Sequence, residues 1–338
     1  MRKYLLPENG NFYKANLHCH TTISDGRRTP EEVKALYQKK GYSVVAYTDH
    51  DILLPHKELT DDTFLALNGF EMETNQVVPK HFANRKKTCH LCFIGLEEDN
   101  LVMPCYHRTK YLFANAVKYR EQIQYDDTEP DFERVYTKEC MNEIIQRCRE
   151  KGFFVTYNHP SWSMEDYRDY IGYEGMHAME IMNGSCIATG FEDYNPRVYD
   201  DILRSGKKLY CIGADDNHNV KPDDSRYSDS GWAFTMIKAE KLEYRTITKA
   251  LEEGNFYASE GPKIYELYVE EQKVYIKCSE ADRIICRYEA RREGMVLSEN
   301  GVPVTEASFD IGPELGYFRI TVVDQCGRHA CTNAYFPE

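Results

Sequence analysis

His18 and His20 bracket a single cysteine near the start of the chain. Asp25 follows just ahead of a glycine, and Asp49-His50 closes an apolar run soon after. Neutral imidazole and carboxylate at such places are natural metal ligands, and together they suit zinc, manganese or iron better than calcium. Further candidates lie along the chain at Glu71, His90, His159 and His218, with Asp215 or Asp216 just before the last. Six imidazoles and three carboxylates are too many for one ion. They fit two or three divalent cations sharing a bridging carboxylate, and such a cluster supports hydrolysis. One ion lowers the pKa of a bound water to roughly 7, while its neighbours stabilise the attacking and leaving oxygens. The expected nucleophile is therefore a metal-bound hydroxide, with no side chain assigned to that role.

These side chains can cooperate only if the fold gathers them. Residues 15–19 read as a first strand. Thr29-Pro30-Glu31-Glu32 then reads as a helix start, with Thr29 as N-cap, Pro30 at the first helical position and Glu32 as capping-box partner. Val33, Leu36, Tyr37 and Lys40 share one face, and Gly41 stops the helix. Ser43–Tyr47 is a buried strand. The alternation continues with strands at 64–67, 89–95, 153–157, 178–182, 209–213 and 232–237, and helices at 137–151, 196–204 and 242–253. Each candidate ligand falls on or just past a strand. Such alternation argues for an α/β fold with a parallel sheet, closed or nearly closed as a barrel, whose C-terminal strand ends converge on one site. After Gly261-Pro262 the helix signals vanish. Short runs of β-formers at 264–269, 274–278, 284–288, 307–311, 317–323 and 330–334 suggest a small antiparallel sandwich. The expected division is 1–261 and 262–338.

Taken together, His18-Cys19-His20, Ser24-Asp25-Gly26, Thr48-Asp49-His50, Gly69-Phe70-Glu71, His90, His159-Pro160 and the Gly213–His218 segment resemble the PHP family (polymerase and histidinol phosphatase) of metal-dependent phosphoesterases. The resemblance covers about residues 1–260. It implies a distorted (β/α)7 barrel, followed here by an immunoglobulin-like sandwich such as some two-domain members carry; the sandwich itself holds no catalytic signal. It also implies ligand roles. His18, His20, Glu71 and the late aspartate would hold one ion. Glu71, His90 and His159 would hold a second, with Glu71 bridging, and Asp25, His50 and His218 a third. One departure stands out: the family's late motif runs Gly-Ser-Asp-x-His, whereas Gly213-Ala214-Asp215-Asp216-Asn217-His218 is one residue longer. Counting back from His218 selects Asp216, and counting forward from Gly213 selects Asp215. Residues i and i+2 share a face in extended chain, which favours Asp216.

The expected substrate is a small phosphorylated molecule. The resemblance admits nucleotide-type esters, and a sugar or amino-alcohol phosphate is equally open from the residues. The same cluster could instead cleave a carbamate, amide or carboxyl ester. A third reading is a metal-holding barrel with a partner-binding or glycan-binding sandwich and no catalysis. The chain carries 55 acids against 42 bases, a net charge of −13, which disfavours a broad basic face for long nucleic acid. Bound cations could still attract a small anion locally. The 12 cysteines show no dense framework, so free thiols in a reducing compartment are expected. The first residues have no apolar stretch long enough for a signal peptide, and no window suits a membrane span, so cytoplasm is the default expectation. Nothing indicates the oligomeric state.

Several weaker signals surround these. Cys89-His90-Leu91-Cys92 has a C-x-x-C spacing but no second pair, so both cysteines are expected to pack as small hydrophobes. Cys19 should point into the barrel wall. His56, His81, His107, His177 and His329 lack matching context and read as structural or surface residues. Arg27 and Arg28, just after Asp25, could meet a substrate phosphate or be solvated. Lys80, Arg85, Lys86 and Lys87 read as a solvated basic insertion. The irregular stretch from Leu96 to Asp131 reads as a lid or wall over the pocket.

Overall fold

A computed structural model describes residues 2–81, 86–192, 194–292 and 294–337. Strands β1 (Lys3–Tyr4) and β2 (Asn11–Asn16) precede helix α1 (Pro30–Lys39), whose capping box forms between Thr29 and Glu32. Next come β3 (Val44–Tyr47), β4 (Leu65–Asn75), β5 (Thr88–Gly95) and α2 (Lys138–Glu150), which is capped by Thr137 and buries Met141, Ile144, Ile145 and Cys148. The chain continues through β6 (Phe153–Tyr157), α3 (Tyr167–Tyr170), β7 (Ala178–Asn183), α4 (Gly184–Thr189), α5 (Pro196–Arg204), β8 (Tyr210–Ala214), β9 (Phe234–Ala239), α6 (Tyr244–Glu252) and β10 (Phe256–Ser259). The remaining strands are β11 (Ile264–Glu270), β12 (Lys273–Ala281), β13 (Arg283–Tyr288), β14 (Met295–Leu297), β15 (Val304–Asp310), β16 (Phe318–Val323) and β17 (His329–Thr332). None of the described helices is long and apolar enough to cross a membrane.

The strands build a mixed α/β structure on two sheets. The larger has the order β14-β13-β16-β17-β10-β9-β2-β3-β4-β5-β6-β7-β8, and the smaller β1-β11-β12-β15. One expectation is corrected here. The sheet is not uniformly parallel: β2/β3, β3/β4, β6/β7 and β7/β8 run parallel, but β4/β5, β5/β6 and β2/β9 are antiparallel. A parallel return needs a crossover, usually helical, and no α-helix lies between β4 and β5 among the described residues, so the chain doubles back. A regular seven-fold alternation is therefore not what forms. The C-terminal strands divide between the two sheets. Strand β17 pairs with β10 across the expected boundary, with Tyr257 opposite Thr332, and β13, β14 and β16 extend the same sheet. The pairing covers edges that β10 and β17 would otherwise expose. Leu267, Val274 and Ile276 of the small sheet share one apolar cluster with Ile284, Ile320 and Val322 of the large one.

For the site, the decisive feature is how β2 and β8, six strands apart in the sheet order, meet just past their C-terminal ends. Cys19 and Asn217 form a parallel bridge, the His20 amide donates to the Asn217 carbonyl at 3.0 Å, and the Asp216 amide to the His18 carbonyl at 3.0 Å. Below this junction β8 lies close against β9. A Cβ on Gly213 would sit 2.7 Å from the Phe234 carbonyl oxygen, and the Thr235 hydroxyl donates to the Gly213 carbonyl at 2.9 Å.

Candidate metal centre

Each candidate side chain reaches the centre from a strand or its immediate continuation. Beyond β2, Leu17 and Cys19 enter apolar clusters while the alternate residues, His18 and His20, face the site. Strand β3 leads to His50, β6 to His159, and β8 to Asp216 and His218; Glu71 and His90 sit within β4 and β5. Asp49 pins the loop that carries Asp25: its carboxylate accepts the Thr21 and Ser24 amides at 2.8 and 3.0 Å and both hydroxyls at 2.8 and 2.7 Å. Gly26 is required in that loop, since a Cβ there would lie 2.6 Å from the His20 carbonyl oxygen. His159 and Asp216 hold positive φ, 27° and 52°. Such backbone costs roughly 1–3 kcal/mol per residue and clusters at functional sites.

All nine side chains converge. Glu71 lies at the middle: Oε1 is 3.2 Å from His18 Nε2, 3.0 Å from His90 Nδ1 and 3.4 Å from His159 Nε2, while Oε2 is 3.4 Å from His20 Nε2 and 3.1 Å from His50 Nδ1. Asp216 Oδ1 is 3.3 Å from His18 Nε2 and 3.1 Å from His20 Nε2. His218 Nε2 lies 3.4 Å from Asp25 Oδ2. Bonds of 2.0–2.1 Å to a common cation separate its neighbouring ligand atoms by about 2.8–3.4 Å, the lower end octahedral and the upper tetrahedral. The observed spacings are of that size. His18 Nε2 and His20 Nε2 are only 3.1 Å apart, and His20 Nδ1, His50 Nδ1, Glu71 Oε2 and His90 Nε2 are buried with no hydrogen-bond partner. Buried polar atoms are rarely left so, and a cation would satisfy such lone pairs. By proximity the ligand atoms group as His20, Asp25, His50 and His218; His18, His159 and Asp216; and His50, Glu71 and His90. The third trio implied by the family resemblance appears here with His20 added; the other two are partitioned differently.

The electrostatics fit the same purpose. Burial pushes the Glu71 carboxyl up, but His18, His90 and His50 outweigh it and hold the group well below the usual carboxylate range. Asp216 is likewise lowered, with burial overcome by His18, His20 and His159. Burial alone would lower His20, yet Asp216 and Glu71 raise it to about 10, and His18 is raised well above its ordinary value by Asp216, Cys92, Glu71 and Glu180. His50, crowded by burial and by His20, falls to about 3. The carboxylates thus demand positive charge, which protons supply when divalent cations do not.

A second layer, not singled out in the sequence, orients the ligands. Glu180 on β7 is fully buried; its Oε1 lies 2.7 Å from His18 Nδ1 and its Oε2 accepts the His159 amide at 2.9 Å. A proton held on His18 Nδ1 by this contact leaves Nε2 free to ligate, the usual role of a carboxylate behind a metal-binding imidazole. Asn158 donates to Glu71 Oε1 at 3.2 Å. The signal for Glu180 was available: it is a charged residue amid the apolar run Met179–Met182. Asp215, the alternate register, does not join the centre. Its carboxylate accepts the amides of Gly231, Trp232 and Ala233 at 2.6, 2.9 and 3.0 Å and the Tyr37 hydroxyl at 2.9 Å, fixing the loop before β9.

The weaker signals separate in the same way. Cys92 neighbours His18 and Glu71, but burial pushes its thiol up to about 11 and Asn158 donates to its sulfur at 3.0 Å; Cys89, three residues back on the strand, takes the opposite face. The C-x-x-C spacing thus makes no joint site. His56 stacks on Tyr47, His177 accepts the Val155 amide, His107 lies 3.2 Å from Glu133 and His329 3.1 Å from Glu260; His81 is exposed. Arg28 pairs with Asp223 at 2.7 Å, while Arg27 is exposed and its amide donates to the His218 carbonyl. Lys87 pairs with Asp166 and Asp169 and Lys86 lies near Glu73, whereas Lys80 is exposed; Arg85 lies outside the described residues. From the stretch 96–131 the Phe113 ring reaches the site, packing edgewise against His50 at 5.5 Å.

No family model and no curated protein matches the chain. Solved structures do. A two-domain protein from Bacteroides vulgatus, named as containing a predicted PHP-like metal-dependent phosphoesterase, is similar over 95% of this chain and 94% of its own, at 15% identity and a TM-score of 0.46. A candidate metal-dependent phosphoesterase from Bifidobacterium adolescentis is similar over 65% of this chain and 91% of its own, at 13% identity and a TM-score of 0.36. An amidohydrolase from Chromobacterium violaceum, with bound sulfate and no metal, is similar over 60% and 87%, at 15% identity and a TM-score of 0.35.

Proposed function

We propose that this chain is a metal-dependent hydrolase that cleaves the phosphoester of a small molecule. The observation that carries the reading is the convergence of six imidazoles and three carboxylates around Glu71, at ligand-to-ligand spacings, with four of their polar atoms buried and partnerless. Glu71, His18, His20, Asp25, His50, His90, His159, Asp216 and His218 would hold two or three divalent ions. Manganese, zinc and iron all suit this donor set. Ions so placed supply an activated water and neutralise charge on phosphoryl oxygens. The chain's own share would be to place the Glu71 carboxylate among the ligand imidazoles and to keep His18 Nε2 free through Glu180. Several adjacent cations match the charge of a phosphoryl group better than that of a neutral carboxyl ester, which favours the phosphoester over the amide or carbamate reading.

The test is direct. Protein loaded with Mn²⁺ should hydrolyse an aryl phosphate, and Glu71→Gln should lower both metal content and turnover. Cleavage of an aryl carboxylate ester with phosphate esters untouched would shift the assignment to the other bond. A protein inert towards both, with metal content unaltered by Glu71→Gln, would end it.

A further inference from the structure

Two half-exposed aromatic rings stand at the centre, and the proposed chemistry does not use them. Trp162 is 40% exposed and Phe113 46%. Trp162 lies 5.3 Å from the His90 ring and 5.1 Å from the His159 ring, both near perpendicular, and Phe113 lies 5.5 Å from His50. Among the described residues these are the non-histidine rings in contact with the ligand imidazoles. His50 and His90 themselves pack at 5.7 Å, so the two rings abut ligands that neighbour each other.

Both rings are held in place before any ligand arrives. The Asn115 amide donates to the Ser24 carbonyl at 3.0 Å and its side chain to the Thr22 carbonyl at 3.2 Å, tying the Phe113 segment to the loop that carries Asp25. The Trp162 loop is closed by the Ser163 amide on the His159 carbonyl at 3.1 Å. It is anchored by Glu165, whose carboxylate accepts the hydroxyls of Tyr136, Tyr157 and Tyr173 at 2.8, 2.7 and 2.5 Å. Large rings fixed and left partly in water beside a polar cluster are a binding wall, since covering them regains hydrophobic free energy at little ordering cost. Hydroxyl-rich groups would find little to bond on such a wall, whereas a planar π-system would stack on it.

Resting on the phosphoester reading, we infer that the organic part of the substrate is aromatic. It is an aryl or heteroaromatic phosphoester whose phosphoryl group sits on the metal cluster and whose ring packs against Trp162 and Phe113. Sugar and amino-alcohol phosphates are then poor substrates.

Binding of two phosphonates to the zinc-loaded protein tests this without turnover. Calorimetry should show phenylphosphonate binding at least about tenfold more tightly than methylphosphonate, the scale of one ring stacked on an aromatic side chain. The chain has two tryptophans, so Trp232→Phe leaves Trp162 as the reporter. Its emission should change saturably with phenylphosphonate and much less with methylphosphonate. Trp162→Ala and Phe113→Ala should each lower the phenyl-to-methyl affinity ratio several-fold, and Trp162→Phe should keep most of it. If methylphosphonate binds and the wild type shows no phenyl preference, or the ratio survives both alanine variants, this inference falls while the phosphoester reading stands. A zinc-loaded protein that binds neither phosphonate would overturn both.

Discussion

Glu180 does no chemistry of its own in this scheme, yet its replacement should strike the centre. In Glu180→Gln the volume is unchanged, but one carboxylate oxygen becomes an amide nitrogen. The wild-type carboxylate meets His18 Nδ1 at 2.7 Å on one oxygen, and the His159 amide and Asn183 Nδ2, both at 2.9 Å, on the other. A glutamine can satisfy one side only. If its oxygen stays with His159 and Asn183, its NH₂ faces His18 Nδ1, and the imidazole must move its proton to Nε2. That nitrogen is the one facing Glu71 at 3.2 Å and Asp216 at 3.3 Å, so the lone pair that would reach a metal is lost. Loss of such an orienting partner typically costs 10–100-fold in metal affinity, or about 1.4–2.7 kcal/mol. If the glutamine turns the other way, its NH₂ abuts the buried His159 amide, and an unsatisfied buried donor costs roughly 1–3 kcal/mol of folding stability. Zinc titration against a chromophoric chelator reads the first outcome, and melting of the chelated protein the second. A variant that matches the wild type in both measurements would refute the role given to Glu180.

Two further outcomes follow from the same geometry. In the chelated protein His20 titrates near 10, raised above the ordinary histidine value near 6.5. A raised value stabilises the fold fully below pH 6.5, and that contribution is lost as pH climbs towards 10. Chelated protein should therefore melt progressively lower from pH 7 to pH 10, and metal binding at neutral pH should release protons. Calorimetry in buffers of differing ionisation enthalpy counts those protons, and a count of zero would contradict the assignment of His20. Asp215→Asn should lower the melting temperature, by roughly 1–3 kcal/mol of stability, because its NH₂ would oppose backbone donors; metal stoichiometry should be preserved. Asp216→Asn should lower metal content instead. The opposite pattern, read by elemental analysis and melting, would restore Asp215 as the ligand.

How much of this centre the sequence discloses depends on whether a feature is local. Helices α1, α2 and α5 were legible because their start signals, apolar spacing and stop residues lie within one segment, and strand β6 because it is a short apolar run bounded by turns. The nine side chains were legible because strand ends recur and the chemistry-bearing residues sit on or past them. Strand direction was not, since whether β5 returns antiparallel depends on what the connection can cover rather than on the composition of β5. The union of β17 with β10 was equally hidden, as it is made between positions such as Tyr257 and Thr332 that share no local pattern.

The pair Asp215-Asp216 shows where spacing arguments stop. One extra residue between Gly213 and His218 leaves two registers to count, with only the i, i+2 alternation favouring Asp216. The backbone resolves them at Asp216, whose φ of 52° absorbs the insertion in a left-handed step. One carboxylate is thereby turned onto His18 and His20, while its neighbour is left to collect three amides and a tyrosine hydroxyl. Aspartate tolerates that conformation better than most residues, so the identity of the residue at the insertion is itself part of the explanation. Ligands can be read from residue type and strand end, whereas the roles of the residues that hold them in place come into view only through distances: Glu180 is marked in the sequence as a charge in an apolar run, and Asn158, Asp49 and Asp215 gain their roles from their partners.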